Sequence, residues 1–194
     1  MTVQLNSAGN GSTTASAVNN GSSDACGIAT TTLNNSSFTC ANVAGPNTVI
    51  LTVTDVNGNS STCSAAVTVQ DNIAPIALCQ NLTINLGSSG SQTVLASSIN
   101  NGSNDACGIA TTTLNPNTFT CDDLGVNNVT LTVTDVNANS STCAATVTVT
   151  NDPLVATTAS PTVACGYNVT CNGATNGSAT VTTTGGCLPY TYLW

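Results

Sequence analysis

Valine, leucine and isoleucine alternate with threonine along several short stretches of the chain. Val129, Leu131 and Val133 alternate with Thr130, Thr132 and Thr134, the period of two that sends the two sets of side chains to opposite faces of a strand. Beyond a turn at Asn137-Ala138-Asn139, Cys143, Ala145, Val147 and Val149 share one face, while Thr146, Thr148 and Thr150 take the other. The pattern predicts a hairpin whose apolar faces point inward. It occurs earlier too, with Val49, Leu51 and Val53 followed by Cys63, Ala65, Val67 and Val69. Leu82, Ile84 and Leu86 predict another strand, Val94 to Ile99 a further one, and Tyr190 to Trp194 a last one. Cys79 and Leu82 are three apart and cannot both face inward on a regular strand, so a bulge or kink is expected between them. No long segment carries a 3.6-residue apolar period, so little helix is expected. The prediction is an all-β chain of antiparallel sandwiches.

The pattern recurs because the sequence repeats. Residues 1–28 align without gaps on 82–109, and ATTTLNNSSFTC (29–40) aligns on ATTTLNPNTFTC (110–121). One residue is then dropped, and LTVTDVNGNSSTC (51–63) aligns on LTVTDVNANSSTC (131–143). The period of about 80 residues is too long for a solenoid repeat and suits a small sandwich domain. Three domains are expected: residues 1–72, residues 73–152 and, after the linker Asn151-Asp152-Pro153, a different unit over 153–194. Met1 aligns with Leu82, and the counterpart of Pro75 to Asn81 is missing ahead of it. The first repeat is therefore expected to be cut at its N-terminus, and the third unit, ending in an apparent strand, at its C-terminus.

Composition narrows the function. The 194 residues include no Lys, Arg or His, and the eight acidic residues are all Asp, giving a net charge of -8. Without cationic side chains nothing neutralises phosphates, so nucleic-acid partners are excluded. No apolar run is long enough to insert in a membrane. With no His, Lys, Arg or Glu, most acid–base and nucleophile-activating arrangements cannot be built, so the chain is not expected to be an enzyme. The paired carboxylates Asp122-Asp123 would face opposite sides of a strand, a poor basis for glycosidase chemistry.

Ten cysteines favour an oxidising compartment. There is no Cys-x-x-Cys pair or His to argue for zinc. The second repeat has Cys79, Cys107, Cys121 and Cys143; the first has Cys26, Cys40 and Cys63. Four cysteines allow three connectivities. The conserved short spacing between Cys107 and Cys121, and between Cys26 and Cys40, favours local bridges, with Cys79–Cys143 joining the ends of the repeat. In the chain-entropy model the local bridge is worth roughly 3 kcal/mol and the long one nearer 4. Cys63 is then left without a partner, and the pairing of Cys165, Cys171 and Cys187 stays open.

No cofactor is required, but calcium is a candidate ligand. Asp55, Asn57 and Asn59, and likewise Asp135, Asn137 and Asn139, put hard oxygens at alternate positions. The competing reading is a hairpin turn, for which Asn-Gly is a strong signal. A second candidate lies between the repeats, where Asp71 and Asn72 can meet loop aspartates of a neighbour. The threonine faces and the aromatic residues Tyr190, Tyr192 and Trp194 are candidate glycan or ice surfaces, weighed against β-propensity and core packing.

The run Ala74-Pro75-Ile76-Ala77-Leu78-Cys79, then Asp105-Ala106-Cys107-Gly108-Ile109, Phe119-Thr120-Cys121, Thr134-Asp135-Val136-Asn137 and Thr142-Cys143, resembles HYR (hyaline repeat)-like modules. The stretch from Cys171 to Val181, with Gly185-Gly186-Cys187-Leu188-Pro189-Tyr190, resembles an SprB-type repeat of bacterial gliding adhesins. These resemblances imply tandem immunoglobulin-like sandwiches, stapled by disulfides, on the surface of a bacterial cell. The implied function is a structural and adhesive spacer in a large secreted surface protein. The alternatives are a module that binds glycan, calcium or ice, and a non-catalytic accessory array of a secreted hydrolase. The implied partners are neighbouring modules of the same chain and surface glycans or proteins.

Overall fold

The computed structural model describes residues 1–160 and 178–193. The chain divides into two compact units. The first comprises Met1–Leu78, Gly102–Thr113 and Thr132–Cys143; the second comprises Cys79–Asn101, Leu114–Leu131 and Ala144–Trp194. The fold is all-β, with its sheets in a sandwich-like arrangement.

In the first repeat, strands form at β1 (Thr2–Gln4), β2 (Asn10–Ser12), β3 (Ile28–Leu33), β4 (Ser37–Thr39), β5 (Asn47–Asp55) and β6 (Ser60–Gln70). One sheet has the order β1-β6-β5-β3, and β2 and β4 form the facing pair. The predicted hairpin is β5–β6, antiparallel, with Val49 opposite Ala65 and Leu51 opposite Cys63. β1 adds in parallel to β6, with Val3 opposite Val69. The inward stripe supplies the core: Val3, Leu5, Phe38, Val49, Val67 and Val69 cluster together. Phe38 is 1% exposed and is the largest side chain of that cluster. Burying a side chain of this size stabilises by about 1.5–3 kcal/mol, so a single aromatic carries much of a small core. A four-residue helix, α1 (Ala15–Val18), is capped by Thr14, whose Oγ1 accepts the Ala17 N–H at 3.2 Å.

The second repeat follows the same plan with β7 (Leu82–Asn85), β8 (Ser91–Thr93), β9 (Ile109–Asn115), β10 (Thr118–Thr120), β11 (Gly125–Asp135) and β12 (Ser140–Thr150). Its sheet order is β7-β12-β11-β9, with β8 and β10 paired. Phe119 takes the place of Phe38 and is also 1% exposed. Two expectations change. Of the strand expected over Val94 to Ile99, residues Ala96–Ile99 form a second short helix, α2, which buries Ile99 completely. One turn of helix places Ile99 inward while leaving Leu95 in solvent, an arrangement that a period of two does not offer to residues four apart. The Cys79–Leu82 conflict is resolved by a change of partner. Cys79 bridges Asn100, whereas Leu82 lies on β7 opposite Val147 of β12.

In the last segment β13 (Val155–Ala159) pairs antiparallel with β14 (Thr180–Thr184). The strand expected at Tyr190 to Trp194 is not formed over Tyr190–Leu193. The tight Gly185-Gly186 turn, both residues at positive φ, folds this end back, and the Tyr190 hydroxyl donates to the Gly185 carbonyl. Cys165, Cys171 and Trp194 lie outside the described residues.

Candidate functional site

The β sandwich has two ends, and the cysteines are distributed between them. Cys26 stands at the end that carries the β5–β6 turn, where the Val56 N–H donates to the Gly27 carbonyl. Cys40 stands at the other end, beside the β1–β2 turn; there Leu5 donates to Gln70, the last residue of β6. The eleven residues of β6 separate the two ends by roughly 35 Å. A bridge needs Cα atoms within about 7 Å, so the expected Cys26–Cys40 bond cannot close. Cys107 likewise lies beside the β11–β12 turn, where the Val136 N–H donates to the Gly108 carbonyl.

The structure corrects both local bridges. Cys40 is joined to Cys107, with a Cα–Cα distance of 5.2 Å, and Cys121 is joined to Cys187 at 5.9 Å. Among the described residues Cys26 and Cys63 are free, and both are exposed. Cys79 and Cys143 are both disulfide-bonded. The sequence separations of the two resolved bridges are 67 and 66, so the same staple is used twice. Each leaves the far end of one repeat and enters the next stretch of sequence. Cys40 and Cys107 both pack on the core of the first repeat, so the second repeat contributes a sulfur to its neighbour's interior.

Glycine makes room for the staple. Gly9 has φ +73, and a Cβ there would lie 2.7 Å from Cys40 Sγ and 3.2 Å from Ala106 Cβ. Gly90, its counterpart, has φ +66 with Cys121 Sγ at 3.7 Å from the same position. The sequence reading did not single out these glycines. The available signal was a glycine recurring at the same place in both repeats.

The candidate calcium residues fall into two groups. In the hairpin turns the carboxylates serve the turn itself. Asp55 Oδ1 accepts the N–H groups of Asn57 and Asn59, each at 2.8 Å, and Oδ2 accepts Asn59 Nδ2 at 2.8 Å. The Asn59 side chain, and then its backbone N–H, hold the Asp55 pKa below 3.8, with the backbone of Asn57 and Gly58 adding to the effect. Asp135 repeats these bonds with Asn137 and Asn139 at 2.8 Å and is only 2% exposed. Both oxygens of each aspartate are therefore occupied by the chain.

Asp71 is different. It is 6% exposed, Oδ1 accepts the Ile73 N–H at 3.1 Å, and Oδ2 is buried with no partner among the described residues. A carboxylate oxygen of Asp71, one of Asp105 and the sulfur of Cys107 lie within 4.8 Å of one another. Asp105, which the sequence reading quoted only as part of a motif, has Oδ1 on the N–H groups of Cys107 at 2.8 Å and Gly108 at 3.1 Å. Asn139 Nδ2 donates to the Asp71 carbonyl at 3.1 Å and so pins the Asp135–Asn139 turn to this place. On that turn Asn137 Oδ1 is also buried and has no partner among the described residues. Asn72 faces elsewhere, donating through Nδ2 to Gln4 Oε1 at 2.9 Å. Asp122 and Asp123 stand in a short 3-10 turn rather than a strand, and Asp123 caps Thr120 by accepting its N–H at 2.8 Å.

The SprB repeat family model matches residues 167–194. No curated protein matches the chain. Solved structures similar to it include mouse clustered PcdhgC3 EC1-3, at 17% identity and a TM-score of 0.33, over 60% of this chain and 49% of that one. Another is human mucin-like protocadherin EC1-2, at 12% identity and a TM-score of 0.35, over 77% and 94% respectively. A third is the endo-fucoidan hydrolase MfFcnA9 of glycoside hydrolase family 107, at 14% identity and a TM-score of 0.26, over 62% and 28%. The chain spans about half the length of the first of these.

Proposed function

We propose that this chain is a structural and adhesive spacer segment of a large secreted bacterial surface protein, built from HYR-like modules followed by an SprB-type repeat. The observation that carries this reading is the repeated staple, Cys40–Cys107 and Cys121–Cys187. A peptide linker alone transmits tension through one strand of chain. A bridge from the far end of one repeat into the next provides a second, covalent path, which keeps neighbouring repeats in register under load. The SprB match at 167–194 supports a surface-adhesin setting, and the oxidised cysteines support an extracellular one. The absence of Lys, Arg, His and Glu supports a non-catalytic role.

The test is single-molecule extension of the oxidised chain, held at its two termini, before and after reductant. Each staple hides 67 or 66 residues from the pulling force. With Cys79 and Cys143 bridged as well, it is full reduction that frees both loops, and at about 3.3–3.6 Å per residue it releases roughly 440–480 Å of additional length. A gain of that size that appears only with reductant supports the proposal. A chain that extends to its full contour length while still oxidised overturns it.

A further inference from the structure

We propose that Asp71, Asp105 and Asn137 form a binding site for a divalent cation of the calcium class at the junction of the two repeats. This site is independent of the spacer reading. Asp71 is more than nine-tenths buried, yet its Oδ2 has no partner among the described residues, and a carboxylate oxygen of Asp105 lies within 4.8 Å of one of its own. A buried ionised oxygen facing a second anion is strongly unfavourable unless a positive charge compensates it. The chain has no Lys, Arg or His anywhere in its sequence to supply that charge. A divalent cation from solution would supply it.

The donor set defines the ion. Cys107 Sγ lies within the cluster, but it is bonded to Cys40 and offers no thiolate. What remains is oxygen: two carboxylates and the unpartnered Asn137 Oδ1 on the turn that Asn139 pins to Asp71. Oxygen-only donors suit hard cations, and two carboxylates balance one divalent charge. Asp105 is only half-buried, which leaves a side on which water can complete the six to eight ligands calcium prefers. The nearby Asp135 is not a ligand, since both its oxygens already accept hydrogen bonds. Its negative charge still adds to the field at the site.

The experiment is isothermal titration of the oxidised full-length chain, stripped with chelator, with calcium chloride. One calcium per chain is expected, with a dissociation constant of about 10⁻⁴–10⁻³ M, the range of extracellular modules. Asp71→Asn and, separately, Asp105→Asn should each weaken binding at least about tenfold, the loss expected from removing one first-contact carboxylate. Asp24→Asn removes the counterpart of Asp105 in the first repeat, whose carboxylate accepts the Cys26 N–H, and should leave binding unchanged. Absence of calcium binding to the wild-type chain overturns the site, as does Asp71→Asn binding calcium as tightly as wild type. Neither result bears on the staple, whose reductant-dependent extension is read separately.

Discussion

The two stapled junctions share a covalent plan and differ in their electrostatics. At the first, Asp71 follows β6 and lies beside the bridging sulfur of Cys107. At the second, Asn151 follows β12 and its Nδ2 donates to Cys187 Sγ at 3.1 Å. The residue two before the bridging cysteine is Asp105 at the first junction and Gly185 at the second. No side chain fits at Gly185, because a Cβ there would collide with the Pro153 carbonyl, and its φ is +69. The second junction therefore satisfies its polar group internally and excludes a second carboxylate by shape. The first leaves an anionic pair. The staple is the constant device, and the candidate ion site is a local addition to it.

The largest effect that would break this comparison is removal of a staple. Replacing both sulfurs, as in Cys40→Ser with Cys107→Ser, avoids leaving a lone thiol. In the chain-entropy model a bridge enclosing 67 residues contributes about 4 kcal/mol. The 66-residue bridge from Cys121 to Cys187 should contribute nearly the same. Denaturant unfolding, in chelator and without reductant, measures both. Equal losses support a shared plan; a loss confined to one junction would show that only that bridge holds structure together.

A smaller effect sharpens the contrast at the glycines. Alanine at Gly9 or Gly90 must adopt a left-handed backbone, which costs roughly 1–2 kcal/mol at either site. At Gly9 the new methyl also presses on Cys40 Sγ and Ala106 at 2.7 and 3.2 Å, whereas at Gly90 the nearest atom is in ordinary contact at 3.7 Å. Gly9→Ala should therefore lose about 1–3 kcal/mol more than Gly90→Ala. Equal losses in thermal or chemical unfolding would mean that the first junction relaxes to admit the methyl.

Much of the fold was legible in the sequence, because the signals that determine it are local. The period of two in Val129–Thr134 and in Cys143–Thr150 places β11 and β12, and the turns at Asn57-Gly58 and Asn137-Ala138 close the hairpins. The parallel addition of β1 to β6 and of β7 to β12 was not legible, since pairing direction depends on how the chain enters the sandwich. The phenylalanines at 38 and 119 sit in strands of only three residues, too short for a period to reveal their inward role. The bridges were misread for a related reason. A spacing of about 14 residues looks like a short loop, but here it spans a strand that runs from one end of the sandwich to the other. Asp71 was legible as a junction residue. Its partner Asp105 was not, because the loop that brings the two together is a product of tertiary folding.

The smallest predicted effect concerns the two hairpin turns, which have the same bonds and different surroundings. Asp55 is capped by Asn57 and Asn59 in the solvent-accessible turn of the first repeat, and Asp135 is capped identically but buried. For Asp55 the Asn59 side chain and the surrounding N–H groups stabilise the ionised carboxylate, so its folded pKa lies below 3.8. A group whose pKa is lowered on folding stabilises the fold above its ordinary pKa, and that contribution fades as pH falls through the folded value. The Asp55 turn should therefore be at full strength at neutral pH and weaken only below 3.8. In Asp55→Asn the charge is absent, so this part of the acid dependence should vanish while the rest of the curve keeps its shape. Carbon-detected titration of the Asp55 carboxyl, with unfolding midpoints of both chains followed from neutral pH into acid, measures this directly. Parallel stability curves for the two chains would mean that the hydrogen bonds to Asp55 hold the turn without coupling its charge to folding. The contrast with the buried turn at Asp135 would then lie in packing, not in ionisation.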